Sequence, residues 1–155
     1  MTTKILAPHY LRIEREMRAD LPTVWRALTD LLELRAWWAM PVLEYKPDIG
    51  GGFELRYIGR DRVDRFTYTT WDENWRIGGR WDYNWMDGGV DELVSLTEIG
   101  EGVRVGIEHS NFESFGKDAA KIFGYHKSET RARLERLQAW VEQRMPANLA
   151  QMPVV

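Results

Sequence analysis

Three aromatic residues at alternate positions, Trp81, Tyr83 and Trp85, are the first sign of a site. Arg80, Asp82 and Asn84 separate them, so as a strand the segment sets all three rings on one face and the polar residues on the other. Such a wall either lines a pocket or fills a core. Two histidines stand where they can meet it. His109 shares strand parity with Val105 and Ile107, and His126 lies four residues before Thr130 on an apolar helical seam that also holds Phe123. Polar groups on a seam need partners. The early helix therefore borders a solvated cavity, or His126 is a satisfied structural histidine. Trp38 and Trp71 add stacking faces, which favour an aromatic ligand over a flexible lipid.

Other chemistries fit these residues less well. His126 and Glu129 lie one helical turn apart and with His109 make three conceivable zinc ligands, but nothing else supports a metal and none is expected. Glu108, adjacent to His109 on a strand, points to the opposite face. Cysteine is absent, which removes thiolate chemistry and disulfides. No Gly-x-Ser-x-Gly elbow is present, and Ser95, Ser110, Ser114 and Ser128 have no base partner by spacing. Gly50-Gly51-Gly52 lacks the Lys-Ser/Thr of a phosphate loop and reads as a turn, and Gly78-Gly79 reads as a bulge within a strand. Arg15, on the mostly apolar face of its strand, either meets a ligand carboxylate or pairs with a surface acid.

The elements that must hold these residues follow from periodicity. Leu11, Ile13 and Met17 alternate with Arg12, Glu14 and Glu16 in a first strand. Asp20 and Pro22 open a helix carrying Leu21, Val24, Trp25 and Leu28, Thr29-Asp30 interrupts it, and 31–37 forms a second short helix. Strands are expected at 42–45, 53–57, 66–71, 76–85, 93–99 and 103–112, with hairpin turns at Asp87-Gly88-Gly89 and Gly100-Glu101-Gly102. From 117 to 144 a long helix buries Phe123, His126, Thr130, Leu134, Leu137 and Val141. Trp140 flanks that seam, and Arg131, Arg133, Glu135 and Arg136 take the outer faces. The fold class is α+β: about seven antiparallel strands in a curved sheet around a long C-terminal helix. One domain spans 1–155, its core about 10–144, with a loose tail at 145–155.

Composition bounds the rest. The 155 residues carry a net charge of −3 and include 8 Trp, 6 Tyr and 5 Phe. No basic stripe points to nucleic acid, no apolar run is long enough for a membrane span, and Met1–Pro8 is no secretory leader. A cytoplasmic location is expected.

This order of elements resembles the helix-grip fold of the START/SRPBCC superfamily, which includes pollen allergens and polyketide cyclases. Within it the chain is most similar to the heat-shock-protein ATPase activator homologues. The residues carrying the likeness are Arg15–Asp20 with Val24–Asp30, Trp37-Trp38, Gly51-Gly52-Phe53, and Gly102–Val105 through His109 and Phe112. They span roughly 11–141. Asn74-Trp75-Arg76 departs from the pattern, standing where the family carries a proline-containing turn. The resemblance implies that Trp81, Tyr83 and Trp85 face the helix across a cleft, and that a histidine at 109 is common without being catalytic. It implies binding of a hydrophobic or aromatic small molecule by Trp38, Trp71, Trp81, Tyr83, Trp85, His109, Phe123, His126 and Thr130, with no cofactor. Two alternatives remain: a cyclase- or hydrolase-like enzyme using His109 or His126 as acid or base, and a chaperone partner. The full activators carry a further chaperone-binding domain for which 155 residues leave no room. A homodimer is compatible with this reading.

Overall fold

Leu11 and Met17 are buried at the two ends of the first strand, β1 (Leu11–Met17), while Arg12, Glu14 and Glu16 stay exposed. The computed structural model describes residues 9–38 and 41–143; the Met1–Pro8 leader question and the 145–155 tail lie outside them. Asp20 caps α1 (Leu21–Thr29), its Oδ1 accepting the Thr23 N–H at 2.9 Å, with Pro22 in the first turn. Asp30 ends α1 and caps α2 (Leu31–Trp37), its Oδ1 accepting the Glu33 N–H at 3.1 Å. A single aspartate thus turns the chain between two helices by satisfying otherwise orphaned amide groups.

Six further strands follow: β2 (Val42–Leu43), β3 (Gly52–Arg56), β4 (Val63–Asp72), β5 (Arg76–Tyr83), β6 (Gly89–Ile99) and β7 (Gly102–Ser110). They form one seven-stranded sheet in the order β1-β7-β6-β5-β4-β3-β2, every pairing antiparallel. The bulge expected at Gly78-Gly79 falls opposite these glycines: Tyr68 pairs with Gly79 and Thr70 with Gly78, leaving Thr69 as the extra residue. A Cβ on Gly79 would sit 2.1 Å from the Thr67 carbonyl oxygen, so the close approach of β4 requires glycine there. The bulge bends the sheet and reverses side-chain parity along β4, so that Trp71, like Phe66 and Tyr68, faces inward.

Several boundaries differ from the periodicity reading. β2 stops at Leu43, β4 runs from Val63 to Asp72, and β5 ends at Tyr83, so Trp85 lies past the strand expected to carry it. β6 starts at Gly89 rather than Leu93, because Gly88 turns the chain with φ 103° and pairing resumes at once. Phe112, expected in the last strand, instead opens a 3-10 segment (Phe112–Asp118) after Asn111 adopts φ 73°. The final helix, α3 (Ala119–Gln143), follows and buries Ile122, His126, Thr130, Leu134, Leu137 and Val141. Leu134 and Leu137, each 1% exposed, close with Ile107, Val94 and Phe53 around a void of only about 30 Å³. This half of α3 is packed solid against the sheet. Arg133, expected on an outer face, is buried; it follows Thr130 by three residues and so falls on the same stripe.

Candidate functional site

Beneath the first half of α3 the packing opens. Glu92 is buried on β6, on the inward face it shares with Val90, Val94 and Leu96. Its Oε1 accepts the Trp81 indole N–H at 3.1 Å and an Arg133 Nη2 hydrogen at 2.7 Å, and lies 2.7 Å from His109 Nε2. Burial alone would raise the carboxyl pKa. The Arg133 charge and the hydrogen bond to His109 outweigh it and hold Glu92 well below the usual carboxylate range. Arg133 and Glu92 therefore form a charge-balanced buried pair, and the guanidinium also lies over the Trp38 ring, 4.9 Å from its centroid.

From Glu92 a line of polar groups runs toward α3. His109 Nδ1 lies 3.2 Å from His126 Nδ1, and His126 Nε2 lies 2.8 Å from the Tyr83 hydroxyl. β6, β7, α3 and β5 each contribute one member. Burial depresses the His126 pKa to about 3, so this ring is neutral. Burial likewise pushes the Tyr83 phenol far up, and it keeps its proton.

Above this line lies a cavity of about 140 Å³, walled by Trp38, Leu55, Trp81 and Tyr83 and by His126, Thr130 and Arg133 of the polar side. Tyr57, Asp64 and Tyr125 reach it from the rim. Asp64 accepts hydrogen bonds from Trp85 Nε1 (2.8 Å), the Tyr57 hydroxyl (2.9 Å) and Arg62 Nη2 (3.2 Å). The Arg62 guanidinium sits 4.0, 4.3 and 5.3 Å from the ring centroids of Tyr57, Trp85 and Tyr125, a cation held among three π-faces.

Of the residues singled out from sequence, Trp38, Trp81, Tyr83, His109, His126 and Thr130 line this cavity. Trp85 stands just behind, its ring 5.2 Å from that of Tyr83. Phe123 packs on Phe112 and His9, away from the space. Trp71 is also outside it. Beyond the bulge its ring meets Tyr68 and Trp25 edge-on, seven residues along β4 from Asp64. Arg15 is exposed; its guanidinium hydrogen-bonds Gln138 and lies 4.0 Å from Glu135, which is the surface pairing. His109, His126 and Glu129 all border the cavity but make no metal site. The histidine nitrogens face Glu92, each other and Tyr83, and Glu129 pairs with Arg136 at 3.0 Å. Among the described residues no group of three such side chains is placed to hold a metal.

Glu92, Arg133, Asp64 and Arg62 were not singled out. The first three carried a signal: Glu92 alternates with Val90 and Val94, Asp64 with Phe66 and Tyr68, and Arg133 keeps helical spacing from His126 and Thr130. Arg62 sits between strands and had none.

A long helix gripped by a curved antiparallel sheet, with a cleft beneath its N-terminal half, is the helix-grip architecture of START/SRPBCC-type proteins. Residues 18–142 match the family described as Activator of Hsp90 ATPase homolog 1-like protein, and the chain belongs to it. No curated protein sequence matches the chain. Similar solved structures include DynU16, a protein of the dynemicin biosynthetic locus (TM-score 0.73, 19% identity over 89% of this chain). The chain spans about half of DynU16, 49% of its length. CV1439 from Chromobacterium violaceum superposes with TM-score 0.71 at 22% identity, covering 87% of this chain and 99% of that one. The Aha1 dimer from Colwellia psychrerythraea gives 0.71 at 18% identity, covering 87% and 97%. Likeness at this identity establishes the fold. Among the described residues no helix is long and apolar enough to cross a membrane.

Proposed function

We propose that this chain binds a small aromatic molecule in the cavity between the sheet and α3. The observation that carries the reading is the cavity itself: about 140 Å³, with Trp38, Trp81 and Tyr83 as ring faces and His126, Thr130 and Arg133 as converging polar groups. A cavity of about 150 Å³ accepts benzene, so a single ring fits this space. Sterols and long acyl chains exceed this space. A thermal-shift screen across monocyclic arenes, polyketides, sterols and fatty acids tests the reading. Monocyclic arenes should stabilise the fold, by about 2.7 kcal/mol at a hundredfold excess over Kd, and the larger classes should not. An absence of any saturable stabilisation by ring compounds would refute it.

The line Glu92–His109–His126–Tyr83 favours a second reading, a cyclase- or hydrolase-like enzyme in which His126 moves a proton. General bases work best with a pKa near the operating pH, and burial leaves His126 at about 3. Binding is therefore the better account. Mass spectrometry on any stabilising ligand separates the two: product formed by the wild type and lost in His126→Gln would install the enzyme. The family's description carries a chaperone partner no further than its name, and the dimer belongs to the Colwellia protein.

A further inference from the structure

The polar line beneath the cavity has a direction, and that direction sets which ligands the cavity prefers. Glu92 is the fixed point. A carboxylate only accepts, so His109 must present Nε2–H to it. Arg133 already balances the Glu92 charge, which leaves no counter-charge for a buried imidazolium at His109. A neutral ring with its proton on Nε2 has a bare Nδ1. The only hydrogen able to fill the 3.2 Å gap between the two Nδ1 atoms then belongs to His126. With its proton on Nδ1, His126 is bare at Nε2 and accepts the Tyr83 O–H at 2.8 Å. Each bond fixes the next: Tyr83 donates to His126, His126 to His109, and His109 to Glu92.

We infer that Glu92 commits the Tyr83 proton to His126, so that Tyr83 faces the cavity as a hydrogen-bond acceptor and selects ring compounds bearing an O–H or N–H donor. This deepens the binding reading and rests on it for the ligand, though not for the direction of the chain. Phenols and anilines are the class specified. Aryl ethers of similar size, which also accept but cannot donate, find no donor in Tyr83. The depressed affinity of His126 for protons agrees with a ring held as a neutral acceptor at Nε2. Had His109 carried a second proton, the sequence would reverse. His109 would donate to His126, His126 to the Tyr83 oxygen, and the phenolic O–H would turn into the cavity as a donor.

Two measurements on the intact protein decide the matter. Long-range ¹H–¹⁵N correlation spectra in mildly alkaline buffer read imidazole tautomers directly, and the chain holds only three histidines to assign. The spectra should place the proton of His109 on Nε2 and that of His126 on Nδ1. His126 protonated on Nε2, or either ring found cationic, overturns the chain. Titration calorimetry with phenol, aniline and anisole then reads the consequence. Phenol and aniline should bind about 5-fold to 10-fold more tightly than anisole, the worth of one added neutral hydrogen bond. Anisole binding as well as phenol overturns the specificity while leaving the cavity as a binding site. No saturable binding of any of the three overturns the ligand class together with the binding reading, and the tautomers still report on the chain.

Discussion

Acid should weaken this fold through His126 before any carboxylate is involved. The ring is buried beside His109 on β7, Tyr83 on β5 and Arg133 on its own helix, with Glu92 of β6 behind His109; burial holds its pKa near 3. In the unfolded chain a histidine titrates near its unperturbed value of about 6.5. Between those values the unfolded state binds one more proton than the folded state. Stability therefore rises with pH across the window and falls as pH drops from about 6.5 toward 3. At about pH 5 the folded ring is still neutral and the unfolded one almost fully charged. The cost relative to about pH 8 is then about 2 kcal/mol, whatever the exact folded value, provided it lies well below 5. Glu92 acts in the same direction, its pKa being lowered in the fold, but only below about 4.5, so the difference between wild type and variant at pH 5 is carried by His126. The assay is urea unfolding at both pH values for wild type and His126→Gln. The variant is less stable overall, but its loss between the two pH values should be smaller than that of wild type by about 2 kcal/mol. Equal losses would falsify the reasoning, since His126 would then titrate alike in both states.

Three further outcomes concern the scaffold. Arg133→Met strips the cation from a buried carboxylate and should destabilise by about 3–5 kcal/mol in urea unfolding; a loss below about 1 kcal/mol would mean that Glu92 is not charged in the fold. Leu137→Ala removes a side chain that is 1% exposed under the sheet and should cost about 2–5 kcal/mol by the same assay. Asp30→Ala removes the α2 cap and should cost about 1 kcal/mol, read as a lower unfolding midpoint with an unchanged m-value.

The architecture was legible because each element announces its own period. Asp20 and Asp30 stand ahead of apolar helical spacing, β1 alternates cleanly, and α3 repeats its buried positions over seven turns. The site was legible where aromatic residues carried it, since Trp81 and Tyr83 sit on unbroken strand parity and His126 and Thr130 on the helical seam. It failed where a charge sits inside. Glu92 and Arg133 keep inward spacing, but their charge argues for the surface until each is seen to neutralise the other across 41 residues of sequence, a pairing that no local pattern encodes. Trp71 was misplaced for a different reason. The extra residue at Thr69 brings that ring onto the inner face opposite Ile77, but at the far end of β4, under α1 and away from the cavity. Asn74 and Trp75 form a tight turn between β4 and β5, with Asn74 at φ 71°.

A ring compound entering the space between β5 and α3 is tested most directly by nuclear magnetic resonance titration with phenol. Saturable shifts should appear at the Thr130 amide, the His126 ring and the indole N–H signals of Trp38 and Trp81, which border the cavity. A Thr130→Phe variant that fills the space should abolish them while keeping the dispersed spectrum of a folded protein. Shifts that map to the outer face of the sheet, or that survive unchanged when the cavity is filled, would contradict the account.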